Sequence, residues 1–180
     1  MHGHGGSDVG ACNDKRYEKD DTLKVAKLVK KYLEEDNVKV IMTREKNKNV
    51  TLQDRCKIAN KKKANLFVSI HRNSAETGNG IEIWSNSEKR EKDTQLANDI
   101  LNKLSKTKIQ TNRGVKYGTI KNENTDYYVL NNTKMPSCLI ELGFISNEKD
   151  NKLFDENLKE YAKAISEGII EYVGKEKLNN

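Results

Sequence analysis

Hydrophobic positions recur along this chain with two different periods, and the alternation between them predicts an α/β fold. Over residues 20–35, Val25, Leu28, Val29 and Tyr32, joined by Ala26 and Leu33, repeat at the spacing of one helix face. Asp20 and Asp21 put negative charge where a first helical turn favours it. The same period predicts helices over 50–63 (Leu52, Cys56, Ala59), 88–105 (Leu96, Ile100, Leu101, Leu104) and 156–173 (Leu158, Tyr161, Ala162, Ile165, Ile169, Tyr172). Between them lie shorter runs. Val38–Thr43 predicts a short strand. Leu66–His71 and Cys138–Leu142 are almost continuously apolar, as in strands covered on both faces of a parallel sheet. Gly80–Ser85 alternates and predicts an edge strand. Residues 107–135 are mixed, with strand-like pieces at Val115–Gly118 and Tyr127–Leu130, and residues 1–16 read as a loop rich in Gly, Asp, Asn and Ser.

Strands alternating with helices, and one proline in 180 residues, predict a single α/β domain over residues 1–180. Its expected core is a mostly parallel twisted sheet flanked by helices. No internal repeat and no low-complexity linker interrupts it.

Composition narrows the function classes. Charged residues make up 33% and the net charge is +6, which favours polyanionic partners: nucleic acid, an anionic membrane surface or anionic wall polymers. No nucleic-acid-binding motif accompanies the charge, and the lysines are spread along the chain, so no nucleic acid is expected as partner. A basic nucleic-acid-binding domain stays as an alternative. Cys12, Cys56 and Cys138 are odd in number and far apart, which argues against a disulfide framework and a thiolate metal site. No signal peptide is recognised, and no apolar stretch is long enough to span a membrane. The expectation is a soluble protein made in the cytoplasm, a monomer or weak dimer.

Candidate chemistry gathers at strand ends. His71 closes the Leu66–His71 strand and Glu141 lies near the end of Cys138–Leu142, where sites form in open α/β sheets. Glu141 is a carboxylate inside an apolar strand, costly there unless used or paired. His4 sits between glycines in Gly3-His4-Gly5-Gly6, and Glu18 stands just before the first helix. Two histidines and a carboxylate form a catalytic zinc set with a fourth position for water. Spacing alone leaves the plainer alternative open, that His71 is a strand-end hydrogen-bonding residue. His2 is a competing ligand at alternate spacing from His4. Arg72 and Asn73 follow His71 and are candidate substrate-binding residues. Trp84 is either a strand residue or a wall of a sugar groove, Arg44 and Arg55 read as surface or interhelical salt-bridge residues, and Lys61–Lys63 as a solvated helix end. The glycine-rich GHGGSDVG lacks the GK[ST] of a phosphate loop. Cys138 with His71 is the pair a cysteine peptidase would need, without that class's local signatures.

Several segments resemble motifs of one family. They are GHGGSDVGA (Gly3–Ala11), Glu18-Lys19-Asp20, Thr43-Arg44, LQDRCKIAN (Leu52–Asn60), SIHRN (Ser69–Asn73), Gly80-Ile81-Glu82 and MPSCLIELGFISN (Met135–Asn147). In this order, over residues 3 to 173, they resemble the zinc N-acetylmuramoyl-L-alanine amidases of the amidase-3 family. The resemblance implies one zinc ion held by His4, Glu18 and His71, and Glu141 as the catalytic acid/base. It implies hydrolysis of the amide between N-acetylmuramic acid and L-alanine in peptidoglycan, by a phage endolysin domain or a bacterial autolysin released by lysis. An inactive cell-wall-binding module of the same fold is the alternative. The family opens with a strand ahead of the first histidine. This sequence opens Met-His-Gly-His, so that strand is expected to be missing and the hold on His4 weakened.

Overall fold

The computed structural model describes residues 3–178. A two-stranded turn, β1 (Cys12–Asn13) with β2 (Arg16–Tyr17), leads into α1 (Glu18–Glu35). Then follow α2 (Leu52–Lys61), β3 (Phe67–Asn73), β4 (Ile81–Ser85), α3 (Glu91–Lys106), β5 (Asn112–Tyr117), α4 (Tyr128–Asn131), β6 (Ser137–Phe144), α5 (Glu148–Glu156) and α6 (Leu158–Leu178). Four strands form one sheet in the order β3-β6-β4-β5. β3 with β6 and β4 with β5 run parallel, while β4 with β6 runs antiparallel. The sheet is therefore mixed, and helices flank it.

Alternation along the strands divides the sheet into two faces. Val68 and Ile70 of β3, Ile81 and Ile83 of β4, and Cys138, Ile140 and Leu142 of β6 meet α1, α3 and α6 in the main core. The opposite face begins apolar, with Phe67, Leu139 and Trp84 against Cys56 and Ala59 of α2 and Val129 and Leu130 of α4. Further along the same strands it turns polar, through Ser69, His71, Asn73, Glu82 and Glu141.

Local capping fixes the helix starts. The Thr51 side chain accepts from the Asp54 N–H to open α2, and Asn147 accepts from Asp150 N–H to open α5. Asp150 in turn accepts from the N–H groups of Phe144 and Gly80. One buried carboxylate thus ties the end of β6 to the start of β4.

Four expectations are corrected. Val38–Thr43 is in no strand; Val38, Val40 and Met42 lie partly buried against the main core, so their apolar pattern reports packing rather than sheet pairing. Gly80–Ser85 yields β4, which is interior rather than an edge. Its polar residues are buried beside its apolar ones, which made the alternation look like a solvent face. Tyr127–Leu130 forms the short helix α4, because a brief apolar run carries no period of its own. Residues 1–16, expected as a loop, contain β1 and the first residue of β2, while the helix expected over 156–173 forms as α6 after the separate α5. Among the described residues no helix is long and apolar enough to cross a membrane.

Candidate metal centre

His71 and Glu141 are cross-strand neighbours in β3 and β6 and project from the polar face of the sheet. Just beyond them the register shifts: Leu142 and Gly143 of β6 stand against Arg72, and Gly143 adopts φ 77, inside the left-handed region that glycine tolerates. Glu18 is the first residue of α1, at the end of the helix whose dipole favours a carboxylate. His4 comes from the glycine-rich loop.

These residues converge. Ligand-capable atoms of His4, Glu18 and His71 lie within 4.8 Å of one another. Glu18 Oε1 is 2.8 Å from His71 Nδ1, and Glu18 Oε2 is 3.2 Å from His4 Nε2. Tetrahedral zinc with bonds near 2.1 Å needs ligand atoms about 3.4 Å apart, so little movement separates this arrangement from a metal shell. The outer nitrogens are engaged as metal-binding imidazoles require. His4 Nδ1 is 2.8 Å from Asp8 Oδ1, and His71 Nε2 is 3.0 Å from Ser69 Oγ. Each ring therefore has its other nitrogen, Nε2 of His4 and Nδ1 of His71, turned toward Glu18. Glu18 also accepts the backbone N–H groups of Ala11 and Arg72. Two glycines make room: a Cβ on Gly3 would overlap the His71 imidazole, and one on Gly10 would lie 2.6 Å from Glu18 Oε2. The donor set, its orientation and its clearance fit a zinc ion.

Electrostatics agree. Burial opposes charge on Glu18, but the hydrogen bonds and charges of His4 and His71 outweigh it and hold the carboxyl well below its usual range. Burial opposes charge on His4 too; hydrogen bonds and charge from Glu18, then Asp8, overcome it and raise the imidazole. Glu141 moves the other way. Burial, then the negative charges of Glu18 and Glu82, pushes it well above the carboxylate range. Its Oε2 is buried without a hydrogen-bond partner. A carboxyl so placed beside a metal triad is suited to carry a proton.

The remaining candidates separate. Arg72 points away from the cleft: its side chain is 0% exposed, donates to Asp21 and Asn151, and lies over the Phe154 ring. It ties β3 to Asp21 of α1 and Asn151 of α5, so both its terminal nitrogens are engaged within the scaffold beneath the site. Asn73 shares the His71 face but is bound to Glu82. Trp84 is core, its indole N–H donating to Glu82 and its ring edge-on to Tyr127. Arg44 and Arg55, expected at the surface or in salt bridges, are buried. Lys61–Lys63 are exposed, as read. Cys138 pairs with Val68 on the face opposite His71, and burial pushes its thiol up, so it is no nucleophile for that histidine. His2 lies outside the described residues. Asp8, Ser69 and Glu82 were not singled out in the sequence. Ser69 is detectable in the sequence, since residues two apart on a strand share a face; Asp8 and Glu82 lie inside the family-like segments, where no spacing signals what they contact.

The sequence profile of the N-acetylmuramoyl-L-alanine amidases, the amidase-3 family, matches residues 1–171. The chain belongs to this family. Among curated relatives of the amidase chain, YqiI of Bacillus subtilis (strain 168) is 37% identical over 174 residues, covering 94% of this chain and 81% of that protein. The "probable cell wall amidase LytH" of Staphylococcus epidermidis (strain ATCC 12228) is 35% identical over 177 residues, covering 94% of this chain and 56% of LytH. The chain thus spans little more than half of that relative. Among solved structures, the catalytic domain of the N-acetylmuramoyl-L-alanine amidase CwlV from Bacillus (Paenibacillus) polymyxa var. colistinus superposes with a TM-score of 0.85. It is 35% identical, with 96% of this chain and 94% of that domain covered.

Proposed function

We propose that this chain is a zinc-dependent N-acetylmuramoyl-L-alanine amidase that hydrolyses the amide between N-acetylmuramic acid and L-alanine in peptidoglycan. The observation that carries the reading is the His4–Glu18–His71 cluster beside a buried, unpartnered Glu141, in a chain of the amidase family. His4 would hold zinc through Nε2, His71 through Nδ1 and Glu18 through its carboxylate. When bound, the metal supplies Lewis acidity toward the scissile carbonyl and acidifies a water. The protein's own groups do the rest. Asp8 and Ser69 keep the two imidazoles in the ligating orientation. Glu141 takes the proton of the attacking water and returns it to the alanine nitrogen as the C–N bond breaks. Its raised proton affinity favours holding the proton between those two steps. The net charge of +6 complements anionic wall polymers and holds the enzyme near its substrate.

Digestion of purified cell wall, with and without chelator, tests this. New amino groups should appear without new reducing sugars, and chelation should stop their release. Reducing ends would instead mark a glycosidase, and wall binding without product would mark an inactive wall-binding module.

A further inference from the structure

Two buried arginines surround the loop that carries the first ligand. Arg44 and Arg55 are 4% and 3% exposed. Arg44 Nη2 donates to the carbonyl of Lys19 at 2.6 Å and lies 3.4 Å from that of Gly3; its Nη1 donates to the Lys46 carbonyl at 3.2 Å. Arg55 Nη2 donates to the carbonyl of His4 itself at 3.2 Å, and its Nε to that of Val50 at 2.9 Å. The carbonyls reached are informative. Gly3 precedes His4, and Lys19 follows Glu18. A single guanidinium therefore bridges the backbone of the first ligand segment to that of the second, while the other grips the first ligand's own peptide.

His4 requires such a hold. It adopts φ 51, in the left-handed region that few residues with a Cβ occupy. No helix carries it, and the loop joins the sheet through the Gly3 N–H, which donates to Ile70 at 3.0 Å. Burying two guanidiniums near one another opposes folding unless their donors are satisfied. The fork of an arginine satisfies several carbonyls in different directions at once, which a single ammonium cannot do.

We infer that Arg44 and Arg55 are positioning residues for the metal centre, fixing the His4 and Glu18 segments at ligating separation through the carbonyls of Gly3, His4 and Lys19. This rests on the zinc reading above. The arginines act through the backbone of the two ligand segments.

Zinc affinity, measured by chelator competition on the purified protein, tests the inference. Arg44→Gln and Arg55→Gln should each bind zinc about 10- to 100-fold more weakly, the range seen when a ligand's support is removed. With cobalt in place of zinc, their visible absorption should change as the His4 contact loosens. Arg44→Lys should recover part of the affinity. Ile165→Ala, a core change in α6, supplies the control: at an equal loss of melting temperature it should keep zinc affinity within about twofold, since Ile165 packs in the main core on the other face of the sheet. If the Gln variants do not fold, Arg44→Lys and Arg55→Lys carry the test, with a smaller loss in the same direction. Arginine variants that lose melting temperature like the control but bind zinc like the unaltered protein would overturn the inference. Failure of the unaltered protein to bind zinc would instead overturn the zinc reading, and this inference with it.

Discussion

On one face of the sheet, Val68, Ile70, Ile83, Ile140 and Leu142 are uniformly apolar and nearly inaccessible beneath α1, α3 and α6. On the other, the same strands pass from Phe67 through Ser69 to His71 and, in a single alternation, from Leu139 to Glu141. Neighbours in sequence therefore belong to different economies of stability. Ile140 and Glu141 share a backbone and burial, yet one stabilises by leaving water and the other is destabilising where it sits. One face is covered along its length by α1, α3 and α6, while the other, at its polar end, keeps a buried carboxyl with an unpartnered oxygen beside the candidate metal ligands.

Substitution at Glu141 should give the largest effect. Glu141→Gln keeps the shape and removes the proton carrier, so kcat should fall by about 10³-fold, within the usual range for general acid–base groups. Zinc affinity should be unchanged. The sign of its stability effect follows from the raised proton affinity. A carboxyl whose folded value is raised contributes stability that is present below its unfolded value, near 4.3, and is lost as pH rises through the folded value. At neutral pH the amide should therefore melt at or above the unaltered protein, and near pH 4 the two should converge. Urea melts at both pH values read this directly.

One residue earlier, the outcome should invert. Ile140→Ala opens a cavity in the main core and should lower stability by about 2–5 kcal/mol. At temperatures where it stays folded, kcat per folded molecule should remain near that of the unaltered protein. A large loss of turnover in the folded variant would break the division between faces.

Asp8→Asn sharpens the polar side. The Asp8 carboxylate holds His4 Nδ1, and weakening it should reduce zinc affinity about tenfold while leaving the fold intact. Competition with a chromophoric chelator measures this.

The smallest effect is in pH. Glu18 and Asp8 outweigh burial to raise His4 above 6.5 in the metal-free protein. That protonated form stabilises the metal-free fold below 6.5, and the contribution disappears as pH rises through the raised value. Zinc must displace the proton, so its affinity should climb across the same window as metal-free stability declines. Zinc titrations at pH values on either side of this transition read it, and a zinc affinity that did not climb as the metal-free fold lost stability would mean that His4 is not a ligand.

Much of this was legible in the sequence where a period is long or a residue is chemically out of place. The apolar repeat from Val25 to Leu33 places α1, and the runs Leu66–His71 and Cys138–Leu142 place β3 and β6 by their strand-like length between helical patterns rather than by any period of their own. Glu141 stood out as a carboxylate among apolar neighbours. What failed shares one cause: a residue's type does not tell which partner it meets. Val38–Met42 has a strand's pattern and no strand partner. Glu82 looks like a solvent-facing position and is buried between Asn73, Trp84 and Arg113. Arg72 was expected in the cleft because it follows His71, yet adjacent strand residues face opposite ways, and that rule alone would have removed it. Arg44 and Arg55 read as surface charges because their acceptors are backbone carbonyls, which no side-chain pattern reveals.

Titrating metal-free protein with zinc while following amide hydrolysis tests the central claim most directly. Turnover should rise in proportion to zinc and level off at one equivalent, and Glu141→Gln should take up the same single equivalent without turnover. Hydrolysis by the metal-free protein, or undiminished hydrolysis by Glu141→Gln, would contradict the account.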